Sequence, residues 1–366
     1  MEKKNKSPLQ KAKETLYELG KDLVRQVNKI ENPTITLPVR GLTNINYNKT
    51  KGTLELGDKM ASRSFFNLGH AKKFMQTLEV AAVSKELLNI DKHVSLRDVF
   101  YQVKRTIPNT NINIVDDQVE TDSAIEDMEL ITGCSREQLH INANRSGSVA
   151  GKVIIVDRGD TIDWSKMGSG GWSIPSNVEE IEFKKVNTKY IIYMEKMAVW
   201  DRLHQDRYWD KHNCIIMSSQ GQTTRGIRRL LQRLSNEHNI PIYVLCDWDI
   251  YGTYIYSVIK YGSIALAHAS ERLTIPNVKY IGITGDDVIN YDLKKHLIKL
   301  GDKDLARMKQ VSDYEWFKDN KAWLRQFRLM KELKGKVEIQ SLSARGITFI
   351  SDTYLPLKIK KQDFLE

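Results

Sequence analysis

A short segment that places a tyrosine among cations is the first candidate for chemistry. Ser95 and Asp98 have the spacing of a capping box, which predicts that a helix begins there, in the segment Ser95–Thr106. Four apolar residues with i, i+3, i+4, i+7 spacing would form the buried face of this helix, a stripe of Leu96, Val99, Phe100 and Val103. Tyr101 lies off the stripe and four residues after Arg97, so the two side chains are within reach of each other.

The cations around Tyr101 suit phosphoryl transfer. Cations beside a phenol favour its ionised form, and they can also hold a phosphate and stabilise charge on its oxygens. These residues make Tyr101 a candidate nucleophile and Arg97 its candidate partner, with Lys104 and Arg105 one turn further on as candidate DNA contacts. The alternative is that Tyr101 is one of 15 tyrosines, half-buried beside Phe100, with the cations merely solvated.

Acidic residues follow short apolar runs in the second half of the chain. Three runs have the composition of buried strands: Tyr190–Met194, Cys214–Met217 and Ile242–Cys246. Glu195 follows the first run, and Asp247 and Asp249 follow the third. Because ligands of open parallel sheets bind outside the carboxyl ends of the strands, we predict that these three carboxylates share one crevice.

Carboxylates placed together in this way would need a cation. They repel one another, and an all-oxygen ligand set suits Mg²⁺, which takes phosphate oxygens as further ligands. We therefore predict one or two Mg²⁺ ions at Glu195, Asp247 and Asp249, placed to stabilise charge on a phosphodiester. A D-x-D motif by itself is a weak indication of a metal site. Here the motif follows directly after one predicted apolar strand and Glu195 follows directly after another, which strengthens the prediction.

A segment rich in arginine, Thr223–Leu234, lies between these strands. Its predicted buried stripe consists of Ile227, Leu230, Leu231 and Leu234. The predicted exposed side consists of Arg225, Arg228, Arg229 and Arg233. Because arginine at this density suits a phosphate backbone, Arg225, Arg228 and Arg229 are candidate DNA contacts, although a solvated helix face is an equal alternative.

The composition favours a nucleic-acid partner and an intracellular setting. Lys and Arg outnumber Asp and Glu by 56 to 46, and the net charge is +10, which would also fit a membrane surface or the ribosome. Three scattered cysteines give neither a disulfide framework nor a metal knuckle. No secretion signal or 18-residue apolar run is seen, so we expect a cytoplasmic, nucleoid-associated protein.

The pattern along 366 residues predicts an α+β protein of several domains. We expect four segments: a basic, partner-contacting extension (1–65), a largely helical domain (66–160), a linker (161–185) and an α/β domain (186–366). Within the second segment, a helix over Asp122–Thr132, a break at Gly133 and a second helix that starts at Ser135 with Gln138 suit a helix-turn-helix.

Seven motifs together make the chain recognisable. They are R-D-V-F-Y (97–101), S-R-E-Q-L-H (135–140), M-E-K (194–196), G-Q-T-T-R (221–225), D-W-D (247–249), G-S-I-A-L-A (262–267) and T-Y-L-P (353–356). From about residue 65 to the end, the sequence resembles the A subunits of DNA topoisomerase VI, a family related to the meiotic double-strand-break enzyme.

The resemblance implies a winged-helix domain that carries the catalytic Tyr101, followed by a Toprim domain whose metal ligands are Glu195, Asp247 and Asp249. It also implies a homodimer on double-stranded DNA, in which the tyrosine of one protomer works beside the metal site of the other. Each tyrosine would become linked to a 5′-phosphate while Arg97 stabilises the phosphate. Religation after passage of another duplex would relax supercoils and decatenate DNA.

ATP binding is expected in another polypeptide. Gly52 and Gly57 have the separation of a P-loop, but Asp58 and Lys59 follow where Lys and Ser or Thr are needed. The resemblance implies that a B subunit binds ATP and that the two polypeptides form an A2B2 heterotetramer.

The sequence departs from the family pattern at three positions. Trp248 stands inside the D-x-D motif where a small residue is expected, and Ile250 and Thr223 stand where proline is frequent. None of these changes removes a charge or the nucleophile. We expect Trp248 to pack inside the protein rather than to contact DNA.

Three other functions fit parts of the pattern. A cleavage-only enzyme, like the meiotic break-forming transesterase, would use the same tyrosine and carboxylates without strand passage. A Toprim nuclease or primase would use the carboxylates and the arginine helix without Tyr101. A DNA-binding scaffold would keep both domains with an inactive site.

Overall fold

The computed structural model describes residues 7–219 and 221–366. The lysine-rich first six residues, and Gln220 after the second predicted strand, lie outside the described part of the chain. The described residues form two compact units. The first contains the residues up to Ile45 together with Leu56–Asn144, and the second contains Asn46–Glu55 together with Arg145–Glu366. The division into four segments stays a prediction.

Helices with well-defined ends form most of the first unit. They are α1 (Pro8–Asn28), α2 (Leu68–Ile90), α3 (Leu96–Val103) and α4 (Gln118–Thr132). The capping box predicted for α3 is confirmed: Ser95 Oγ accepts a hydrogen bond from the Asp98 N–H at 3.1 Å, and the Asp98 carboxylate accepts one from the Ser95 N–H at 2.9 Å. Helix α4 ends at Gly133, whose φ of 61° is a conformation that favours glycine.

Short strands precede and follow these helices. They are β1 (Thr34–Pro38), β2 (Ile45–Asn48), β3 (Thr53–Leu56), β4 (Met60–Ser64), β5 (Val94–Ser95) and β6 (Ile141–Asn142). Strands β1 and β4 pair antiparallel, with Thr34 opposite Ser64. Strands β5 and β6 pair parallel, with Val94 opposite Ile141, so the chain just before α3 is fixed to a segment that follows α4.

The core of the first unit is formed by the apolar faces of its helices. The stripe predicted for α3 points into this core, since Val99, Phe100 and Val103 are buried and Leu96 is half-buried. They pack with residues that include Ala12, Leu16, Val80, Leu88, Ile125, Met128 and Leu139. Helix α3 is therefore held by packing on one side, which leaves its other side free for chemistry.

The prediction that a second helix starts at Ser135 is wrong. The hydrogen bonds of a capping box are present, from the Ser135 N–H to Gln138 Oε1 at 2.9 Å and from the Gln138 N–H to Ser135 Oγ at 3.4 Å. Only a single turn forms, however, because His140 takes a positive φ of 63° and the chain enters β6 at the next residue. Pairing with β5 overrides the local helix signal. The helices and short strands of this unit remain consistent with a winged-helix domain.

The second unit contains a mixed six-stranded sheet and smaller sheets. Its strands from residue 145 onward are β7 (Ser148–Ala150), β8 (Val153–Asp157), β9 (Asp160–Asp163), β10 (Trp172–Ser173), β11 (Glu182–Val186), β12 (Ile191–Met194), β13 (Ile215–Ser218), β14 (Ile242–Leu245), β15 (Lys279–Tyr280), β16 (Ile298–Lys299) and β17 (Gly335–Lys336). The large sheet has the order β10-β7-β13-β12-β14-β15, and β8, β9 and β11 form an antiparallel sheet.

The three predicted buried strands are confirmed as β12, β13 and β14. They are parallel neighbours, with Met194 aligned to both Ser218 and Leu245. Strand β10 lies within the predicted linker, residues 161–185, and pairs antiparallel with β7 at the edge of the sheet.

Helices connect and cover these strands. They are α5 (Met197–Gln205), α6 (Tyr208–Lys211), α7 (Arg225–His238), α8 (Ile250–Lys260), α9 (Ser270–Leu273), α10 (Gly285–Asn290), α11 (Asp302–Ser312), α12 (Glu315–Lys318), α13 (Lys321–Glu332) and α14 (Leu355–Lys361). Across the described ranges, no helix has the length and apolar character needed to span a membrane.

The segment with P-loop-like glycine spacing is a β-hairpin. Strands β2 and β3 pair with each other, and Gly52 has a positive φ of 66° in the turn between them. The Leu54 N–H donates to the Tyr261 carbonyl at 2.7 Å, and the Tyr47 ring packs edge-on against the Tyr261 ring. This hairpin is therefore an integral part of the second unit.

The capping box should set the stability of α3. Substitution Ser95→Ala removes the acceptor for the Asp98 N–H, and we expect it to lower the free energy of unfolding by about 1 kcal/mol and Tm by roughly 2–4 °C. Thermal and denaturant unfolding would measure this loss. The matched control is Ser95→Thr, which keeps the hydroxyl; equal losses in the two variants would contradict the capping role.

Candidate active site

Tyr101 and Arg97 form a contact pair on the exposed side of α3. Tyr101 is 60% exposed, and Arg97 Nη2 donates a hydrogen bond to the phenol oxygen at 3.3 Å. The Arg97 guanidinium also lies 5.2 Å from the centre of the Tyr101 ring. An accessible phenol oxygen with a fixed cation beside it is suited to attack on an external phosphate.

Gln118, the first residue of α4, orients Arg97. Arg97 Nη1 donates to Gln118 Oε1 at 2.8 Å, so the guanidinium is held by one residue on α3 and one on α4. Sequence reasoning missed Gln118, because it lies 21 residues from Arg97 and no local spacing relates the two. Only the packing of α3 on α4 brings them together.

The other cations near Tyr101 differ in their availability. Lys104 is exposed, and its Nζ lies 5.1 Å from the centre of the Phe100 ring. Arg105 is exposed too, but it pairs with Glu79 at 2.5 Å. Both stay candidate DNA contacts, although Arg105 would contact a phosphate while it is also paired with Glu79.

The three carboxylates follow adjacent strands of the second unit. Glu195 comes directly after β12, and Asp247 follows β14 by one further residue. Asp249 caps α8: its Oδ1 accepts a hydrogen bond from the Gly252 N–H at 2.6 Å. Because β12 and β14 are parallel neighbours, their carboxyl ends deliver all three acids to the same edge of the sheet.

Asp247 is almost fully buried, and both of its oxygens have partners. Oδ1 accepts a hydrogen bond from the Ile339 N–H at 2.9 Å, and Oδ2 lies 2.7 Å from Lys196 Nζ. Lys196 also contacts Glu338 at 3.2 Å. These partners compensate the charge of a buried carboxylate. Lys196 belongs to the M-E-K motif, but neither Lys196 nor Glu338 was predicted as a site residue.

The surroundings of Glu195 disfavour its charged form. Burial, together with the neighbouring charges of Asp247 and Asp249, raises its pKa to about 7, although Lys196 opposes the shift. Burial and Asp247 likewise raise the pKa of Asp249. Oε2 of Glu195 is buried and has no hydrogen-bond partner among the described residues. A buried carboxylate oxygen without a partner is costly, so this atom is suited to accept a ligand.

The acids fit a hard cation, but they are not already arranged around one. Within residues 7–219 and 221–366, no three acidic, histidine or cysteine side chains form a ready set of metal ligands. The contacts give a reason, since Lys196 occupies Oδ2 of Asp247. The unpartnered oxygen of Glu195 and the mutual repulsion of the acids suit an oxygen-liganded ion such as Mg²⁺.

The departures from the family pattern are accommodated by packing. Trp248 is 2% exposed, and its Nε1 donates to Gln326 Oε1 at 3.2 Å, so the expectation that it packs inside is confirmed. Ile250 is buried in the first turn of α8. Thr223 is buried as well, and its hydroxyl lies 2.6 Å from the hydroxyl of Tyr193.

The predicted exposure of the arginine helix is partly wrong. Arg228 is only 3% exposed, because this side of α7 packs inside the unit. Arg229 pairs with Glu179 at 2.7 Å, and Arg272 pairs with the same carboxylate at 2.6 Å. Although burial opposes the shift, these two arginines lower the pKa of Glu179 to about 2.

Arg225 is half-buried at the start of α7. The periodicity identified the apolar stripe correctly but could not show what covers the remaining sides.

Three family models match consecutive parts of the chain. The model described as "Type IIB DNA topoisomerase" matches residues 72–141. The model "All-beta domain in DNA topoisomerase VI alpha subunit" matches residues 145–187. The model for the Toprim domain that Spo11 shares with the topoisomerase 6 A subunit matches residues 190–359, which include all three carboxylates.

Similar proteins match over most of the chain. The A subunit of type 2 DNA topoisomerase 6 from Pyrococcus abyssi is 41% identical over 97% of this chain and 96% of its own length. The protein of the same name from Methanocaldococcus jannaschii is 33% identical, over 98% of this chain and 97% of its own length. The A subunit of DNA topoisomerase 6 from Arabidopsis thaliana is 32% identical, over 91% of this chain and 76% of its own length.

The raised pKa of Glu195 should make stability depend on pH. The ordinary value is 4.5, so without metal the folded chain holds an extra proton between about pH 4.5 and 7, and stability falls as pH rises through this window. Glu195→Gln should remove this loss. Its advantage over the unsubstituted chain in free energy of unfolding should grow by roughly 1–3 kcal/mol from about pH 5 to about pH 8.

Denaturant unfolding in a chelating buffer would measure this difference. The matched control is Glu182→Gln, because the hydrogen bond from Lys184 lowers the pKa of exposed Glu182. This control should show no growing advantage toward pH 8. An advantage of Glu195→Gln that stays constant with pH would contradict the shifted titration.

Proposed function

Because the chain belongs to the family of type 2 DNA topoisomerase 6 A subunits, we propose that it is the DNA-cleaving subunit of a type IIB topoisomerase and that Tyr101 is its nucleophile. The hydrogen bond from Arg97 to the exposed Tyr101 oxygen is the observation that carries this assignment. Among the described residues, Tyr101 combines exposure, a cation on its reactive oxygen and a place within the residues matched by the type IIB model.

The reaction is a transesterification at a DNA phosphorus. The Tyr101 oxygen forms a bond to phosphorus, and the bond from phosphorus to the 3′-oxygen of the preceding nucleotide breaks. The phenol proton leaves to solvent, and the released 3′-oxygen takes up a proton. The product is a tyrosine linked to a 5′-phosphate and a free 3′-hydroxyl. The exchange replaces one phosphodiester with another, so the 3′-hydroxyl can reverse it and reseal the strand.

Arg97 stabilises the charge that this exchange creates. Its guanidinium donates to the phenol oxygen and remains beside that oxygen as the phosphate approaches, where its charge stabilises the phosphate oxygens. Gln118 holds the same guanidinium and thereby limits its rotation. A cation held in advance loses little entropy when it meets the phosphate.

Glu195, Asp247 and Asp249 would hold Mg²⁺. When bound, the ion supplies positive charge for phosphate oxygens and for the departing 3′-oxygen. The parallel strands and the first turn of α8 keep the three acids together, and burial excludes water from Asp247. The unpartnered Oε2 of Glu195 supports this assignment.

We place this activity in an A2B2 assembly that relaxes and decatenates DNA with ATP. Two copies of the chain would cut the two strands, the tyrosine of one protomer working with the carboxylates of the other. The B subunit would bind ATP, since the segment with P-loop-like spacing in this chain is a hairpin. Double-stranded DNA is the substrate, and Lys104, Arg105, Arg225 and Arg229 are candidates for contacting its backbone.

Tyr101→Phe should abolish the covalent DNA adduct, because it removes the attacking oxygen and leaves the ring in place. The A2B2 assembly would be incubated with supercoiled DNA, Mg²⁺ and ATP, then denatured, and the adduct would be captured and mapped by peptide sequencing. We expect the adduct on Tyr101 and a fall below detection in the variant.

Tyr17→Phe is the matched control, since Tyr17 is 64% exposed on α1 and has no assigned role. It should form adduct at the normal level. An adduct that persists in Tyr101→Phe would refute the assignment, whereas strand breaks without any adduct would indicate a nuclease that uses water.

Arg97 should affect the rate of cleavage more than DNA binding. Arg97→Ala removes the cation beside the nucleophile, and we expect adduct formation to slow roughly 10²- to 10³-fold in single-turnover assays. Arg97→Lys keeps a charge but loses the two-pronged contact with Gln118 and Tyr101. Its rate of adduct formation should therefore lie between the rates of the unsubstituted chain and Arg97→Ala. Fluorescence anisotropy would measure DNA affinity in parallel. A loss of rate explained fully by weaker binding would contradict this role.

A further inference from the structure

Lys196 sits inside the carboxylate cluster as a bound cation. Its Nζ has three acceptors: Asp247 Oδ2 at 2.7 Å, Glu338 Oε2 at 3.2 Å and Gln340 Oε1 at 3.2 Å. The side chain is 25% exposed, so the ammonium is partly shielded from solvent. A lysine that only decorated a surface would not have a buried carboxylate and two further acceptors around it.

A single segment builds this arrangement. Val337 pairs with Trp248 through backbone hydrogen bonds at 2.9 and 3.1 Å, which aligns residues 337–340 with the D-W-D motif. The Ile339 N–H then holds Oδ1 of Asp247. Glu338 and Gln340, on either side of Ile339, hold the ammonium of Lys196. The ammonium therefore lies over the one oxygen of Asp247 that the backbone leaves open.

We infer that Lys196 is a built-in counter-ion that competes with the divalent metal for Asp247 and lowers the metal affinity of the site. This inference rests on the proposed Mg²⁺ site. The ammonium takes the oxygen that a metal would need, and its charge repels an incoming cation. Glu338, whose side chain is 54% exposed, remains as an acceptor for Lys196 when Asp247 turns to the metal.

Such a counter-ion has a consequence for the metal-free protein. The ammonium of Lys196 acts electrostatically on both Glu195 and Asp249, which also repel Asp247. Removal of the positive charge of Lys196 would therefore leave the repulsion among the three acids less compensated. Lys196 therefore stabilises the metal-free fold and opposes loading of the metal. A residue that merely supported the site would act in the opposite direction, because its loss would weaken metal binding.

The direction of the effect on metal affinity tests the inference. Full-length chain with Lys196→Met would be titrated with Mn²⁺ and the free ion measured by electron paramagnetic resonance. We expect the variant to bind Mn²⁺ roughly tenfold more tightly than the unsubstituted chain. Its Tm should be lower in chelator, and the rise in Tm on adding metal should be larger than in the unsubstituted chain.

Two control variants separate charge from position. Lys196→Arg keeps the positive charge and should bind Mn²⁺ with nearly the affinity of the unsubstituted chain. Lys184→Met removes a lysine from the exposed ion pair with Glu182 and should also leave the affinity unchanged. Glu195→Gln in each background identifies the part of the titration that belongs to this site.

The outcomes divide clearly. Tighter binding by Lys196→Met alone supports the counter-ion, and equal or weaker binding overturns it while leaving the metal site in place. If the unsubstituted chain and Lys196→Met both bind no more Mn²⁺ than their Glu195→Gln versions, the proposed metal site itself fails and the counter-ion inference fails with it.

Discussion

Repulsion among three acids at the carboxyl ends of two parallel strands is the constraint on which the second unit depends. Strands β12 and β14 place Glu195, Asp247 and Asp249 together, and burial strengthens the repulsion because less water screens it. The fold offsets this repulsion locally. The Ile339 N–H and Lys196 hold Asp247, and the first turn of α8 holds Asp249. Among the described residues, Oε2 of Glu195 is left without a hydrogen-bond partner, which supports the proposed Mg²⁺ site.

The proposed nucleophile of the first unit, Tyr101, is exposed and not buried. Helix α3 buries Val99, Phe100 and Val103 while its other face stays exposed, so Tyr101 would be accessible to a phosphate on a macromolecule. Rigidity then has to come from contacts at the surface, and Arg97, held by Gln118, provides it. The second unit thus holds a cluster of acidic side chains, and the first unit exposes a tyrosine beside a cation. The proposed reaction on duplex DNA would use both features.

The errors of prediction share a physical cause. At Ser135 the capping signal was real and its hydrogen bonds formed, but pairing of β6 with β5 ended the helix after one turn. In α7 the apolar stripe was identified correctly, yet Arg228 is buried and Arg229 is taken up by Glu179, about 50 residues away in sequence. Local spacing reports the preference of a segment. It does not report which distant segment packs on it.

The sequence by itself determined the local elements and the chemical groups: the capped helix of Tyr101, its pairing with Arg97 at i and i+4, and three apolar strands, two of which lead into acids. These follow from hydrogen bonds and periodicities that span a few residues. Tertiary structure alone decided that Gln118 orients Arg97, that Lys196 and residues 337–340 enclose Asp247, and that Trp248 is buried against Gln326. Those contacts join residues far apart in the chain, and only the packing of the whole unit brings them within bonding distance.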